Sequence, residues 1–185
     1  MRYVVSLNNF TSTQIKMLKI LLVRECIKVL FEGRICLVRV KPQENQDFGI
    51  HLCPSYLIST VNAHSESING LAVAPDHSFF VSCSDDKTVK VWDTARLERN
   101  VTSKPRHTYT QHHSRVKCIC ILEGFHCFAS AADDGALHIV RVHVTQTTSL
   151  PKYGKLQLVR EYKLDTPGEY ITTMTHYNLG KPLFS

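Results

Sequence analysis

The chain lacks the sequence motifs that would hold ATP. Asp47-Phe48-Gly49 matches the magnesium-binding tripeptide of protein kinases. There is, however, no His-Arg-Asp catalytic loop, no glycine-rich phosphate loop and no Val-Ala-Ile-Lys strand, so we interpret the tripeptide as a chance match. A serine-nucleophile motif is also missing, and the paired carboxylates stand in turn sequences rather than in a cleft context. We therefore expect no catalytic residue and no enzymatic activity in this chain.

Cysteine spacing does not indicate a metal site. The seven cysteines are an odd number, and those inside apolar strand patterns are typical of buried thiols in a reducing compartment. Cys118 and Cys120 lie near His112, His113 and His126, but no second cysteine pair stands at zinc spacing. We expect no metal ion and no other cofactor.

No apolar run is long enough to cross a membrane. In residues 14–31 the apolar side chains recur at helical spacing, which predicts a short amphipathic helix. Charges interrupt this pattern at short intervals and exclude a membrane span; they are Lys16, Lys19, Arg24, Glu25 and Lys28. Residues 34–40 have a strand-like pattern, and residues 41–46 form a polar linker. We expect residues 1–55 to be an N-terminal segment, helix then strand, that is not assignable to the repeats.

Two stretches of the chain share one pattern, 48 positions apart. The first is AHSESINGLAVAPDHSFFVSCSDDKTVKVWD, residues 63–93, which predicts three short strands separated by a Pro-Asp turn and an Asp-Asp turn. Shifting the chain by 48 positions without a gap places His112 on His64, Ser130 on Ser82 and Asp134 on Asp86. Val140 stands where Trp92 would be, so the second copy, about residues 111–141, is degenerate at its end. A period of 48 is a little long for one four-stranded β-propeller blade, and the excess lies between Thr94 and Gln111.

The first stretch ends in Trp92-Asp93, and in this it resembles the WD repeat of β-propellers. In that family the third-strand indole, a second-strand hydroxyl, the early histidine and the aspartate of the tight turn form one hydrogen-bonded network. The resemblance assigns this structural network to His64, Ser82, Asp86 and Trp92, with His112, Ser130 and Asp134 as the second-repeat equivalents. Each polar group would be costly to bury alone, whereas together they satisfy one another.

The expected fold is therefore all-β: a partial WD-repeat β-propeller preceded by the short helical N-terminal segment. Residues 56–185 would hold two blades and the start of a third near residue 169. A closed propeller needs roughly four to eight blades, so we expect the chain to be a fragment of a longer protein.

The net charge of +6 is not concentrated on the repeats. Lys and Arg exceed Asp and Glu by four in residues 1–60 and by two in residues 61–185, which does not indicate a nucleic-acid interface. A local basic run contains Lys104, Arg106, His112, Arg115 and Lys117. We call these five residues the candidate partner-contact cluster. A solvated loop is the plainer interpretation, and an acidic partner or a membrane surface is the functional one.

A narrower resemblance rests on three runs: INGLAVAPDHSFFVSCSDDKTVKVWD, then RHTYTQHHSRVKCICILEGFHCFASAADDGALHIVRV, then GEYITTM. Over about residues 56–178 they look like the start of the C-terminal WD-repeat propeller in the regulatory, protein-kinase-like vacuolar sorting subunit of the class III phosphatidylinositol 3-kinase complex. The kinase-like domain of that family has no counterpart in these 185 residues.

This resemblance implies a non-catalytic scaffold that acts in autophagy and in endosomal or vacuolar protein sorting. The implied partners are the lipid kinase catalytic subunit and its coiled-coil adaptor subunits, with membrane contact only through the complex. The implied location is cytoplasmic, on endosomal, vacuolar or autophagic membranes. The alternative interpretation is an unrelated WD-repeat protein-interaction adaptor. Serine/threonine protein kinase activity is the weakest interpretation, because only the rest of a full-length family member could carry it.

Overall fold

Within the residues that it describes, the computed structural model contains six strands at the N-terminal side of the chain and eight in the repeat region. The first six are β1 (Val4–Val5), β2 (Ile20–Val23), β3 (Cys26–Phe31), β4 (Arg34–Val40), β5 (Leu52–Cys53) and β6 (Ser55–Asn62). Side chains are described at residue 35 and over residues 61–94, 96, 104–122, 126–145 and 152–176.

The eight strands of the repeat region form two antiparallel sheets. The first blade consists of β7 (Ile68–Val73), β8 (Phe79–Ser84), β9 (Val89–Asp93) and β10 (His107–Tyr109). The second blade consists of β11 (Val116–Leu122), β12 (Cys127–Ala132), β13 (Ala136–Thr145) and β14 (Lys152–Lys163). In both sheets consecutive strands are neighbours, as in propeller blades. The prediction of an all-β, WD-repeat fold is confirmed.

The two blades share backbone irregularities at equivalent positions. Lys87 has a left-handed φ of 67° in the first tight turn, and Gly135, 48 positions later, has a φ of 81° in the second. The pairing of β7 with β8 shifts register between Ile68 and Gly70, and β11 shifts against β12 at the equivalent place. Such bulges re-aim a side chain. The repeat therefore extends to backbone geometry as well as to residue type.

The N-terminal strands correct one prediction. Ile20–Val23 and Cys26–Phe31 are strands, so the helix predicted over residues 14–31 is wrong there; the rest of that range lies outside the described residues. Short apolar runs fit either period, and β-branched residues favour the strand when a partner is available. One such partner is β4, and its bounds, Arg34–Val40, are those of the strand predicted at residues 34–40. The sheet order is β2-β3-β4-β6, while the domain boundary at residue 55 stays a prediction.

The apolar core lies between the sheets. Ile35 and Val61 pack with Phe80 and Trp92 in one cluster. On the other face of the first blade, Val81, Cys83, Val89 and Val91 join the second blade's Phe128, Val140 and Val142. Every residue of β8 and β12 is buried, since each central strand is covered on both faces.

Tyr153 ties the second blade to the first. Its hydroxyl donates to the carbonyl oxygen of Ser78 at 2.9 Å, and its ring meets Phe79 edge to face at 6.2 Å. The Arg106 guanidinium lies 5.4 Å from the centre of the same ring. Burial, followed by the charge of Asp93, raises the pKa of Tyr153 to about 12, so this hydroxyl stays protonated. Tyr153 is the second residue of β14.

We expect Tyr153→Ala to lower the free energy of unfolding by about 2–4 kcal/mol, because it removes a half-buried ring and a hydrogen bond between the blades. Tyr162→Ala is the matched control, since that ring is 46% exposed and its loss should cost under about 0.5 kcal/mol. Thermal melts of the purified variants measure both. Equal losses would show that Tyr153 does not join the blades.

Candidate functional site: buried networks and the two ends of the blades

The first blade contains a continuous hydrogen-bonded network. The indole Nε1 of Trp92 donates to the hydroxyl of Ser82 at 2.8 Å. Ser82 Oγ lies 2.7 Å from His64 Nε2, and His64 Nδ1 lies 2.9 Å from Asp86 Oδ2. The structure thus brings together all four residues that the resemblance assigned. Thr88 was not assigned, and its hydroxyl donates to Asp86 Oδ1 at 2.6 Å.

This arrangement sets the proton positions. Because Ser82 Oγ accepts from Trp92, its own proton can go to His64 Nε2, which leaves the His64 ring proton on Nδ1 facing Asp86. Burial lowers the pKa of His64 although Asp86 opposes the shift. Burial alone would raise the pKa of Asp86, but the Thr88 hydrogen bond and His64 hold it below its usual range. The network therefore contains a neutral imidazole and a carboxylate at neutral pH.

The second blade has a different network. His112 Nε2 lies 2.8 Å from Ser130 Oγ, as in the first blade. Asp134, however, accepts from the backbone N–H of Ala136 rather than from the histidine. Val140 supplies no indole, and His138 pairs with Ser130 where Lys90 pairs with Ser82.

A stacked histidine pair fills this site. The rings of His112 and His138 lie 4.0 Å apart and nearly parallel, at 10°. His138 Nδ1 is 2.8 Å from the Tyr109 hydroxyl, and its Nε2 is 3.4 Å from Glu161. Among the described residues His112 Nδ1 is buried without a hydrogen-bond partner. Burial, and next the nearby His138, lowers the pKa of His112 to about 4.

Asp85 joins the two blades at the tight turn. Lys117 Nζ donates to Asp85 Oδ1 at 2.8 Å, and Asn69 Nδ2 donates to the same oxygen at 2.7 Å. Asn69 Nδ2 also lies 2.8 Å from the carbonyl oxygen of Val116 in the second blade. Asn69 and Lys117 occupy the register shifts of β7 and β11. The two consecutive aspartates of the turn thus differ in their partners. The Asp86 carboxylate accepts hydrogen bonds within the first blade, whereas the Asp85 carboxylate also pairs with Lys117 of the second blade.

The antiparallel strands give each blade two ends. The tight-turn end holds the β8–β9 and β12–β13 turns. The long-connection end holds the β7–β8 and β11–β12 turns and the β9–β10 and β13–β14 connections. Contacts between the blades join equivalent ends. The Lys117–Asp85 pair joins the two tight-turn ends, and the Tyr153–Ser78 hydrogen bond joins the two long-connection ends.

The candidate partner-contact cluster is not one surface. Arg106 pairs with Asp93 at 3.3 Å, and Lys104 precedes it, both at the long-connection end. Arg115, whose carbonyl accepts from Asp133 N–H, and Lys117 lie at the tight-turn end. His112 is 3% exposed and cannot touch a partner, which corrects its inclusion in the cluster. The short strand β10 lies between Arg106 and Arg115 in the sequence. It therefore places these two basic residues at opposite ends of the blades.

The described residues contain no group of three or more His, Cys, Asp or Glu side chains that could hold a metal ion. Within the same part of the chain, no helix is both long and apolar enough to span a bilayer.

The repeat region consists of two stacked four-stranded antiparallel sheets, and the first contains a Trp-Ser-His-Asp network. These features define this part of the chain as WD-repeat propeller blades. The family model for the WD domain, G-beta repeat, matches residues 55–93 and 103–140. Residues 55–93 and 103–140 therefore resemble this repeat in both sequence and strand order.

Within that class the chain resembles proteins named VPS15. It is 37% identical over 124 residues to a probable serine/threonine-protein kinase vps15 of Dictyostelium discoideum, covering 66% of this chain and 6% of that protein. It is 37% identical over 91 residues to the serine/threonine-protein kinase VPS15 of Arabidopsis thaliana, covering 49% of this chain and 6% of that protein. A putative serine/threonine-protein kinase VPS15 of Komagataella pastoris is 30% identical over 125 residues, covering 64% of this chain and 9% of that protein. The predicted resemblance is confirmed, and the match spans only a small part of these relatives' length.

Proposed function

We propose that the chain is a non-catalytic scaffold segment of a VPS15-type regulatory subunit in a class III phosphatidylinositol 3-kinase complex. The observation that supports this most is the coincidence of two WD-repeat blades with the 37% identity to the vps15 of Dictyostelium discoideum. Propeller blades act by presenting loops at fixed positions on a rigid frame.

The blade architecture favours binding without turnover. Ser82 and Ser130, each beside a histidine, are 0% exposed, so neither hydroxyl can reach a substrate. The Ser-His-Asp chemistry of the first blade is therefore used for packing, in contrast to the open nucleophile that acyl transfer requires. ATP-dependent chemistry in such a protein would belong to a separate kinase-like domain.

The proposed partners are proteins: the lipid kinase catalytic subunit and its coiled-coil adaptor subunits. The proposed location is cytoplasmic, on endosomal, vacuolar or autophagic membranes, and membrane contact is indirect through the complex. The proposed role is autophagy and endosomal or vacuolar sorting.

A full-length protein that contains residues 56–185 should co-purify with a phosphatidylinositol 3-kinase catalytic subunit. Trp92→Ala removes a fully buried indole and should lower the lipid kinase recovered per molecule of bait by about fivefold or more, because a destabilised blade no longer holds its loops. Lys87→Ala, at an exposed turn position, is the control and should leave recovery unchanged.

Recovery of the full-length protein without any lipid kinase component would refute the assembly. Phosphoryl transfer by the purified 185-residue chain, abolished by Asp47→Ala, would refute the non-catalytic part of the proposal.

A further inference from the structure

The second blade ends in a long edge strand. β14 (Lys152–Lys163) contains 12 residues and is the last strand of its sheet, with β13 on one side only. Its counterpart in the first blade, β10 (His107–Tyr109), contains 3 residues. Among the described residues, no backbone group pairs with the outer side of residues 156–163. A row of N–H and C=O groups with no strand beside it is a template for pairing with another chain.

The outer side of β14 stays uncovered when further blades are added to a propeller. Adjacent sheets stack face to face, and Val140 and Val142 pack in this way against the first blade. A following sheet covers the opposite face of the second blade and leaves the edge of β14 at the rim of the ring. The two blades also contact each other more extensively through β7 and β11 than through β10 and β14, so they diverge toward this rim.

The edge strand is basic along its length. Its exposed cations are Lys152, Lys155, Arg160 and Lys163. No salt bridge joins any of them to a carboxylate within the part of the chain that the structure describes. Glu161 is the one carboxylate of the strand, and its Oε1 faces His138 Nε2 of the same sheet at 3.4 Å. Arg160 donates to the Tyr162 hydroxyl at 3.2 Å, which leaves guanidinium N–H groups for a further acceptor.

These features select which strand can pair with the edge. The register of β13 against β14 shifts between Ile139 and Val140 and again between Val142 and Val144. Bulges and lysines on an edge discourage pairing with an arbitrary strand, and two copies of β14 side by side would bring like charges together. A strand that carries carboxylates replaces this repulsion with attraction. Lipid headgroups would also attract the cations, but only a polypeptide satisfies a row of backbone groups in register.

We propose that the outer side of β14 binds an acidic, extended segment of a partner protein, which adds a further strand to the second blade. The inference rests on the proposed function of the chain as a protein-interaction scaffold. Arg160 pairs with Ile139, so it lies on the sheet face opposite the inward Val140. The side chains of an added strand alternate between the same two faces. Its carboxylates therefore belong on the face of Arg160, away from Glu161.

The test uses the intact chain and a fluorescein-labelled peptide of repeated Glu-Val pairs, in which alternation places every carboxylate on one face. Binding is followed by fluorescence anisotropy, and amide hydrogen exchange of the chain is measured with and without saturating peptide. The amides of residues 156–163 should exchange more slowly by about fivefold or more, because the added strand gives outward N–H groups an acceptor. The amides of β10, the edge of the first blade, should exchange at an unchanged rate.

Arg160→Glu should weaken binding of the peptide by about fivefold or more. Lys87→Glu is the matched control, because it changes the net charge equally at an exposed turn of the first blade, and it should change the affinity by less than about twofold. If thermal melts show that Arg160→Glu is unfolded, Arg160→Gln should still weaken binding by about threefold.

Peptide binding without slower exchange in residues 156–163 would overturn the proposal, because charge alone would then hold the peptide. Equal weakening by Arg160→Glu and Lys87→Glu, or no binding to the unaltered chain, would overturn it as well. Slower exchange in β14 that depends on chain concentration and needs no peptide would assign the edge to a second copy of the chain. Slower exchange with phosphatidylserine vesicles but not with the peptide would replace the protein partner with a membrane.

This assay contains no lipid kinase. Peptide pairing that follows the expected pattern, together with failed co-purification of the lipid kinase, would leave the edge site intact and remove only the proposed assembly. Successful co-purification without slower exchange in β14 would remove only the edge site.

Discussion

Asp86→Ala should lower the free energy of unfolding by about 3 kcal/mol, whereas Asp134→Ala should cost about 1 kcal/mol or less. Asp86 accepts from His64, from the Thr88 hydroxyl and backbone, and from the backbone N–H of Ser65. Its loss leaves the Thr88 hydroxyl, at 3.1 Å, as the described partner of His64 Nδ1. Asp134 has one such described contact, to Ala136. Chemical denaturation of the two variants, side by side, measures the difference.

Asp86→Asn is the informative control for this pair, because it keeps an acceptor facing His64 while it removes the charge. We expect it to lose about 1 kcal/mol, between the unaltered chain and Asp86→Ala. Equal losses for Asp86→Ala and Asp134→Ala would mean that the network does not stabilise the first blade.

Acidification from pH 7 to pH 5 should destabilise the chain by about 2 kcal/mol through His112 alone. The pKa of His112 is about 4 in the folded protein against 6.5 for the ordinary side chain. Between these values the unfolded chain binds more protons, so the stability due to the neutral ring is complete above pH 6.5. It is then lost progressively as the pH falls toward 4.

His112→Gln removes the titrating group and keeps a polar side chain opposite Ser130, so it should flatten this pH dependence by about the same 2 kcal/mol. The comparison concerns the slope of the unfolding free energy against pH, and a uniform loss of stability in the variant does not affect it. Thr110→Ala is the control, because Thr110 is an exposed, non-titrating residue near the pair, and its slope should match the unaltered chain. Parallel slopes for all three proteins would show that His112 is not held neutral by the fold.

The sequence predicted well wherever a residue type has one physical explanation. Trp92 and its polar partners have few alternatives once they are buried together, so the pattern of the first blade identified the contacts that the structure contains. The period of 48 residues likewise predicted the strands of the second blade. The short Asp-Asp turns were identified because turn chemistry is local.

The remaining features depend on contacts that sequence alone does not define. The run at residues 26–31 fits helical and extended periods alike, and its pairing with β2 and β4 selects the strand. Lys117 and Arg106 belong to one basic run in the sequence. Because β10 lies between them, Arg106 pairs with Asp93 and Lys117 pairs with Asp85. His138 gave no signal as a ring partner of His112, because stacking depends on cross-strand register. The one clue in the sequence is that the 48-residue shift places His138 on Lys90, which the prediction did not use.

The two-sided covering of the first blade implies nearest-neighbour cooperativity. Phe80 and Trp92 face the preceding sheet, and Val81 and Val91 face the following one. Each sheet is built from consecutive strands, so most of its pairings form locally, while its apolar faces gain protection only when the adjacent sheet is in place. The folding energy of this chain is thus distributed as in a one-dimensional array, in which the interfaces couple neighbours and let order spread from one unit to the next.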